Sequence, residues 1–274
     1  MRRLETVDIG YELTARIKSG SGSVPIVFIN ARGTEQDQWD QVLPRLFLHT
    51  TVTYDRPGIG RSAPLPSSLA DKPRSFGILA DELHSLLDKL AIESPRVVVG
   101  HSIGGLIAIT YAARYHAHTA GLVLVDSTTE HHLKNSRWPA REGDDDFGSS
   151  IIDIPASITE LDTAVWPSVP AAVVASAPGR WTRLPASAAA EYGSLSLEEL
   201  DQQWQDGQRQ LADKLDALLV VADWAGHHVP TDQPELVAAS ISAVVSAARD
   251  HLSVAIPPAQ LRYAGGSCPA PGGR

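Results

Sequence analysis

Short apolar runs rich in valine and isoleucine recur along the chain, with amphipathic stretches between them. Runs that are apolar at nearly every position are typical of strands covered on both faces of a parallel sheet. The pattern predicts such strands at residues 25–29, 50–54, 96–99, 121–125, 169–175 and 217–222. The residues before Lys18 have a different pattern, which indicates an antiparallel hairpin that turns at Gly10.

The stretches between the strands have the spacing of amphipathic helices. Leucines fall on one face between residues 79 and 90, and a second apolar stripe runs over residues 197–215. Ser196 and Glu199 form a capping-box pattern at the start of that second stripe. A third stripe covers residues 237–248. Because strands and helices alternate, the sequence predicts an α/β fold, with a mostly parallel central sheet and helices on both faces.

One long segment, residues 127–168, interrupts this alternation because it is polar, irregular and contains proline. Segments of this length without periodicity are often active-site lids. We therefore expect residues 1–126 and 169–263 to form one core, and residues 127–168 to form a short lid or cap insertion. The last residues, 264–274, are rich in glycine and proline, which favours a disordered tail.

The composition excludes several classes of protein. Of the 274 residues, 43% are apolar and 20% are charged, as in ordinary globular chains. The net charge of −9 disfavours binding to nucleic acid or to an anionic membrane surface. No apolar run reaches the ~18 residues needed to span a bilayer, and the first residues lack the apolar segment of a secretory signal. We therefore expect a soluble, cytoplasmic protein that acts on a small molecule.

The sequence predicts neither a metal nor a cofactor. Cys268 is the single cysteine, so it cannot form an internal disulfide and is too isolated for a structural zinc site. The acidic run at residues 144–146 is more typical of a solvated lid tip than of a metal site.

The most informative stretch is Gly100-His101-Ser102-Ile103-Gly104, which matches the pattern G-x-S-x-G. An apolar strand ends at Gly100 and a helix-compatible segment begins at Ile103, so Ser102 would lie on a tight strand-to-helix turn. The flanking glycines would let strand and helix approach closely. The hydroxyl would then project from the sheet edge beside the Ile103 N–H, which could stabilise an oxyanion together with the helix dipole.

These residues resemble the nucleophile turn of the α/β-hydrolase superfamily. Residues 54–62 are similar to a turn that follows an earlier strand in that superfamily, and residues 226–235 to its histidine loop. The resemblance covers nearly the whole chain apart from the lid and the tail. It implies the α/β-hydrolase fold and a Ser–His–acid triad with Ser102 as the nucleophile. The serine also separates the chain from the superfamily's epoxide hydrolases and haloalkane dehalogenases, which use an aspartate there.

The resemblance also identifies a general base. The histidine of the similar loop directly follows a glycine and lies seven residues before a proline. His227 meets both conditions, and the adjacent His228 is the alternative. Packing or surface positions are expected for His101, His116, His118, His131 and His132.

The position of the triad acid differs from the commoner superfamily pattern. That pattern places an aspartate after the strand that corresponds to residues 169–175. No carboxylate follows that strand here, and Asp126 at the end of the preceding strand is the predicted acid. Its alternative role is to cap the following turn. Asp223 is the nearest competitor, although it is only four residues from the histidine, and Glu130 and Glu191 are more distant alternatives.

The second oxyanion donor is expected in the loop after the strand at residues 25–29. Superfamily members often have a His-Gly pair there, whereas this chain has Asn-Ala-Arg-Gly at residues 30–33. Since only a backbone N–H is required, Arg32 is the predicted donor and Ala31 the alternative. For the Arg32 side chain we expect a surface salt bridge, with contact to an anionic substrate group as the alternative.

Tryptophans are concentrated in or just after the lid segment, and they have two interpretations. Trp138, Trp166 and Trp181 could line an aromatic pocket for an apolar acyl or ring group. Trp204 belongs to the same group, and all four could equally pack the lid onto the sheet.

The leading hypothesis is therefore a serine hydrolase that cleaves a carboxylic ester, a thioester or a lactone through an acyl-enzyme. An acyltransferase or cyclase, a cofactor-free haloperoxidase or a carbon–carbon bond hydrolase would use the same triad. A hypothesis of another class is a non-catalytic ligand-binding protein with this fold.

Overall fold

The apolar runs form neighbouring strands of one sheet in the computed structural model, which describes residues 2–135, 150–185 and 195–269. The strands within those residues are β1 (Arg2–Asp8), β2 (Glu12–Lys18), β3 (Ile26–Ile29), β4 (Thr51–Tyr54), β5 (Arg96–His101), β6 (Thr119–Val125), β7 (Ala171–Ala175), β8 (Leu218–Ala222) and β9 (Gly266–Ser267). Their order across the sheet is β1-β2-β4-β3-β5-β6-β7-β8-β9. All six predicted central strands are present, and each lies within two residues of its predicted bounds.

The pairing is parallel in the centre of the sheet and antiparallel at its edges. Strands β4, β3, β5, β6, β7 and β8 are parallel neighbours. The hairpin of β1 and β2 adds to β4 antiparallel, and Gly10 in its turn has a φ of 108°. The predicted N-terminal hairpin and the mostly parallel sheet are therefore confirmed.

Helices cover both faces of the sheet. They are α1 (Ser67–Ala70), α2 (Phe76–Lys89), α3 (Ile103–Arg114), α4 (Glu130–Asn135), α5 (Ile154–Thr163), α6 (Leu197–Leu215), α7 (Val229–Asp232), α8 (Pro234–Asp250) and α9 (Pro258–Tyr263). None of these helices, in the parts of the chain that the structure describes, has the length and hydropathy needed to cross a membrane.

The core has two layers because side chains alternate across each strand. In β3, Val27 and Ile29 pack with α2, α3 and α6, whereas Ile26 and Phe28 pack on the opposite face with α8. Every residue of β3, β4 and β5 is buried, which explains why β3 and the centre of β5 are apolar at every position rather than alternating. The two threonines of β4, Thr51 and Thr53, are buried as well.

The three predicted helices are α2, α6 and α8, and the predicted capping box begins α6. The Glu199 N–H donates to the Ser196 hydroxyl at 3.2 Å, and the Ser196 N–H donates to the Glu199 carboxylate at 2.8 Å. These two bonds satisfy N–H groups that have no acceptor inside the helix, and so they fix where α6 starts.

The expectation of a disordered tail from residue 264 is wrong for its first residues. Gly266 and Ser267 form β9 and pair with β8, and Ala264 is buried. The Gln233 side chain donates to the carbonyl of Gly265 at 2.5 Å. Composition misled here because an edge strand is held by backbone hydrogen bonds, which glycine and serine form as well as apolar residues do. Residues 270–274 lie outside the described residues.

The expected lid segment contains α4 and α5, and α5 packs against the start of α2. The N–H of Phe76 donates to the Ser157 hydroxyl at 3.0 Å, and the N–H of Gly77 donates to the Glu160 carboxylate at 2.7 Å. Residues 136–149, which include the acidic run, lie outside the described residues.

A second long connection, residues 176–217, joins β7 to β8 and contains α6. This segment is called the β7–β8 connection below. The connection begins at the carboxyl end of β7. Ligand sites in parallel sheets form at the edge where the carboxyl ends of the strands lie.

Candidate active site

Ser102 lies on a strained turn between β5 and α3. Its φ of 55° and ψ of −125° are unusual for a residue other than glycine, and such strain is concentrated at functional sites. A Cβ on Gly100 would overlap the carbonyl oxygen of Gly104, and a Cβ on Gly104 would lie 2.6 Å from the carbonyl oxygen of Asn30. Both positions therefore require glycine, because strand, turn and helix approach so closely here.

A chain of hydrogen bonds joins three side chains that are far apart in sequence. The Nε2 atom of His227 lies 3.0 Å from the hydroxyl oxygen of Ser102, and its Nδ1 atom lies 2.7 Å from Oδ2 of Asp126. Ser102 follows β5, Asp126 follows β6, and His227 lies in the loop after β8. The carboxyl ends of these strands share one edge of the sheet. The structure thus brings together the predicted nucleophile, base and acid with distances suited to proton transfer.

Asp126 is fully buried, and several donors surround its carboxylate. Besides His227, Oδ1 accepts a hydrogen bond from Trp204 Nε1 at 2.7 Å and another from the Ser176 N–H at 2.9 Å. Arg180 Nη1 lies 3.6 Å from Oδ2. Burial alone raises the pKa of Asp126, but the Arg180 charge and the hydrogen bonds outweigh it and hold the pKa well below its usual range. The carboxylate is therefore ionised at neutral pH.

The pKa of His227 is lowered from its ordinary value. Burial is the largest cause and the positive charge of Arg180 the next, while Asp126 acts in the opposite direction. The neutral imidazole carries its proton on Nδ1, since Nδ1 faces a carboxylate. Nε2 is then free to accept the proton of the Ser102 hydroxyl, as a general base must.

His101 has a larger part in the site than the packing or surface position expected from sequence. It is buried, and burial together with nearby His227 lowers the pKa of His101 to about 3, so its ring is neutral. Its Nε2 lies 2.8 Å from the carbonyl oxygen of His227 and donates to it. Nδ1 must then accept, and the amide nitrogen of Gln38 lies 3.2 Å away when it is turned toward the ring. His101 thereby holds the backbone of the histidine loop.

The same network reaches the loop after β3. In that orientation the Gln38 oxygen lies 3.2 Å from the N–H of Ala31 and accepts from it. Arg56 donates from Nη1 to the carbonyl of Asn30 at 2.9 Å and from Nη2 to the carbonyl of Ala31 at 2.6 Å. Since the Ala31 N–H is used, Arg32 is the better candidate for an oxyanion donor in this loop.

The other candidate donor begins α3. Ile103 is the first residue of that helix, so its N–H has no acceptor within the helix. The positive end of the helix dipole lies at the same point and would favour an anion there.

The tryptophans have different surroundings from one another. Trp181 is buried and packs edge-on against Trp204 with 5.9 Å between ring centroids. The Arg180 guanidinium lies 4.6 Å from the Trp181 ring and 4.0 Å from the Trp204 ring. The Trp204 ring is also edge-on to His227 at 5.9 Å. Trp204 therefore contacts both the acid and the base, whereas Trp181 packs on Trp204 and Arg180. These contacts fit the packing interpretation, and the pocket interpretation stays a prediction.

Trp166 lies elsewhere, and Trp138 is outside the described residues. Trp166 lines a cavity of about 250 Å³ together with residues of α4 and α6, and the Lys214 ammonium lies 3.4 Å from its ring centroid. The contacts described for Trp166 do not include Ser102, Asp126 or His227.

Among the described residues, the alternative acids and the alternative base are not positioned to join the chain of hydrogen bonds. Asp223 is exposed, and its N–H donates to the carbonyl of Gly265 at the β9 edge. Glu130 pairs with Lys214 at 2.8 Å. His228 is exposed, with its ring centroid 5.8 Å from that of His227. Glu191 lies outside the described residues.

Sequence reasoning missed the role of Arg180, which lies five residues after the end of β7, in the segment where the commoner pattern has an acid. A cation in that segment was the available signal. The supporting role of His101 was also missed, and so was the hydrogen bond from Trp204 to Asp126, because Trp204 belongs to the apolar stripe of α6. In the part of the chain that the structure describes, no cluster of three or more histidine, cysteine or carboxylate side chains is arranged to hold a metal ion.

Comparisons with known proteins identify the family of the chain. Residues 26–270 match the sequence model of the alpha/beta hydrolase family. The pimeloyl-[acyl-carrier protein] methyl ester esterase of Sodalis glossinidius is 31% identical over 124 residues, which cover 44% of this chain and 43% of that protein. The abhydrolase domain-containing protein abhd-5.2 of Caenorhabditis elegans is 30% identical over 128 residues, 46% of this chain and 26% of that protein. The chain thus spans less than half the length of these relatives.

A solved structure extends the likeness to nearly the whole chain. The haloalkane dehalogenase DbeA from Bradyrhizobium elkani USDA94 aligns with a TM-score of 0.65 at 16% identity and covers 92% of this chain and 100% of that one. At this level of identity the likeness concerns the fold alone.

Proposed function

Since the chain belongs to the alpha/beta hydrolase family, we propose that it is a serine hydrolase that cleaves a carboxylic ester, a thioester or a lactone. The observation that carries the proposal is the continuous hydrogen-bond chain from the Ser102 hydroxyl through His227 to Asp126, at 3.0 and 2.7 Å. A serine hydroxyl is a weak nucleophile at neutral pH, and a neutral imidazole held by a carboxylate is the arrangement that activates it.

In the proposed reaction His227 Nε2 takes the hydroxyl proton while Ser102 Oγ bonds to the carbonyl carbon. The carbonyl oxygen becomes an oxyanion, and the N–H groups of Ile103 and Arg32 stabilise it. The imidazolium gives its proton to the leaving alcohol or thiol, and the acyl-enzyme remains. Water, deprotonated by His227, then attacks the acyl-enzyme and releases the acid and the free serine.

The relatives support an ester-type substrate without specifying it. The name of the Sodalis glossinidius protein is that of a methyl ester esterase, and the matched residues make up less than half of it. The buried aromatic cluster of Trp181 and Trp204 favours an apolar group near the reacting carbonyl.

The test is covalent labelling of the purified protein by a fluorophosphonate, combined with hydrolysis of esters of increasing acyl length. We expect wild-type protein to be labelled at Ser102, and Ser102→Ala to lose labelling and at least ~10³-fold of kcat/KM. Ser85→Ala changes an exposed serine on α2 and is the matched control. If wild-type protein is neither labelled nor active on any ester, the non-catalytic binding function replaces the proposal.

A further inference from the structure

The side chain of Arg32 has an unsatisfied donor beside the proposed oxyanion hole. Its Nη1 atom is buried and has no hydrogen-bond acceptor among the residues that the structure describes. The expected surface salt bridge is also absent from those residues. An unpaired buried donor is unfavourable, especially on a charged group, and native proteins keep such groups where function uses them.

The other arginines at this edge have partners. Arg56 donates to two carbonyls of the loop after β3, and Arg180 lies against Asp126 and two tryptophan rings. Among the described residues, Arg32 is therefore the arginine of this edge that is left for a ligand.

The buried carboxylates of this edge are already used by other groups. Asp126 accepts from His227 and Trp204. Asp55 accepts from the backbone and side chain of Gln36, each at 2.7 Å. Both carboxylates keep their negative charge, but among the described residues neither pairs with Arg32. The Arg32 guanidinium is therefore left to attract an anion, although the chain as a whole carries a charge of −9.

Arg32 lines a small cavity whose other walls are mostly apolar. The lining residues are Arg32, Arg56, Leu79, Ile103, Ile107 and Ile152. Its volume of about 10 Å³ is close to that of one water-sized sphere, so it can seat a single oxygen atom. A carboxylate fits this description better than a phosphate, because one of its oxygens can enter alone and its plane matches a guanidinium.

The cavity also lies close to the reacting carbonyl. Ile103 supplies the candidate oxyanion N–H, and Ile107 is one helical turn farther along α3, which is about 6 Å at 1.5 Å per residue. A ligand group in the cavity would be only a few carbons from the carbonyl. The leaving group must leave the site before water attacks, whereas the acyl group remains bonded to Ser102. An enclosed cavity is therefore better suited to a part of the acyl group than to the leaving group.

We propose that Arg32 is the anion anchor of the substrate site, and that the acyl group of the substrate ends in a carboxylate a few carbons from the scissile carbonyl. One carboxylate oxygen enters the cavity beside Ile103, Ile107 and Ile152 and bonds to Arg32 Nη1. The intervening methylenes lie outside the cavity, between it and the scissile carbonyl. The substrate is then a half-ester, or the corresponding thioester, of a short dicarboxylic acid. This inference rests on the proposed serine hydrolase function.

The kinetic test compares ethyl half-esters of dicarboxylic acids of four to seven carbons with ethyl esters of monocarboxylic acids of equal length. The measured quantity is the ratio of kcat/KM for the half-ester to kcat/KM for the neutral ester. We expect wild-type protein to favour one half-ester length, and Arg32→Gln to lower that ratio at least ~10-fold, because a charge-assisted bond is lost. Arg32→Lys keeps the positive charge but loses the planar guanidinium with its several N–H donors, and it should give an intermediate ratio.

The matched control is Arg249→Gln, which removes an exposed arginine that pairs with Asp250 on α8. Its ratio should equal that of wild-type protein. An Arg32→Gln ratio equal to wild type overturns the proposal, as does a preference for esters that carry the carboxylate on the alcohol instead.

A binding measurement separates this proposal from the hydrolase function. In the Ser102→Ala background, calorimetry with the preferred half-ester should show at least ~10-fold weaker binding after Arg32→Gln. If Arg32→Gln weakens binding but wild-type protein neither hydrolyses esters nor is labelled at Ser102, the anion site stands and the hydrolase function is rejected. If wild-type protein hydrolyses esters but Arg32→Gln leaves binding unchanged, the hydrolase function stands and the anion site is rejected. Circular dichroism of each variant identifies any that fails to fold.

Discussion

Two segments act on the same imidazole, and they are built in opposite ways. The nucleophile turn, residues 100–105, is continuous, and two glycines and a positive φ at Ser102 fix it. The β7–β8 connection contributes the adjacent residues Arg180 and Trp181 together with Trp204 on α6, more than twenty residues later, and Trp204 meets the other two through side-chain packing. The first segment places the group that would react. The second surrounds the carboxylate that would orient the base.

This difference assigns the two segments different energetic roles. The nucleophile turn determines whether a hydroxyl faces the imidazole at all. The β7–β8 connection determines how a fully buried carboxylate remains charged, because Trp204 donates a hydrogen bond to Asp126 and Arg180 adds a positive charge nearby. Variants of the hydrogen-bonded groups themselves, Ser102, Asp126 and His227, should therefore cost more activity than variants of the β7–β8 connection that supports them.

The largest effect in this series is expected from Asp126→Asn. The substitution removes the charge that stabilises the imidazolium and lets His227 adopt the wrong tautomer, so kcat/KM should fall by ~10²–10⁴-fold. The measurement is kcat/KM on the best ester of the panel. Asp223→Asn is the matched control, since Asp223 is exposed at the β9 edge. Nearly full activity in Asp126→Asn would mean that the acid lies elsewhere.

A smaller effect is expected from Trp204→Phe. Phenylalanine keeps a ring beside His227 but removes the N–H that Asp126 accepts at 2.7 Å. Since the carboxylate keeps its bonds to His227 and the Ser176 N–H, we expect kcat/KM to fall by about 10-fold. Trp224→Phe, at an exposed tryptophan, is the control. If Trp204→Phe loses as much activity as Asp126→Asn, the β7–β8 connection is as important for activity as the hydrogen-bonded groups that it supports.

The parts that could be predicted from sequence share one physical property, which is that they depend on local pattern and chain order. Strands β3 to β8 follow from apolar runs, and the capping box of α6 from two residues three apart. Ser102 was selected from the G-x-S-x-G motif, His227 from the resemblance of its loop to the superfamily's histidine loop, and Asp126 from its place after a predicted strand. All three follow strands whose carboxyl ends share one edge.

The contacts that could not be predicted depend on packing between distant residues. Trp204 and Asp126 are 78 residues apart, and nothing in the local pattern of α6 separates this tryptophan from ordinary core. His101 and Gln38 are 63 residues apart, so the support that His101 gives to the histidine loop was equally hidden. The β9 strand was missed because edge pairing depends on backbone groups, which composition does not report.

The smallest expected effect is a change in pH dependence in Arg180→Met. The pKa of His227 is lowered, by burial first and by Arg180 second, so the imidazole stays neutral and able to accept a proton below the usual histidine range. Without the Arg180 charge the pKa of His227 should rise. The acidic limb of kcat/KM against pH should then move to higher pH, since the free enzyme needs the neutral base.

The other groups around His227 do not cancel this shift. They are Asp126, His101, His132 and His228. Burial is the largest cause of the lowered pKa of His101, to about 3, and of His132, to about 4. Because this burial remains in Arg180→Met, we expect neither ring to gain a proton before His227 does. Arg180→Lys retains a positive charge and should keep the limb near its wild-type position, although it loses the stacking of the planar guanidinium on the tryptophan rings. A limb that does not move in Arg180→Met, or that moves to lower pH, would show that the β7–β8 connection shapes the pocket without setting the basicity of His227.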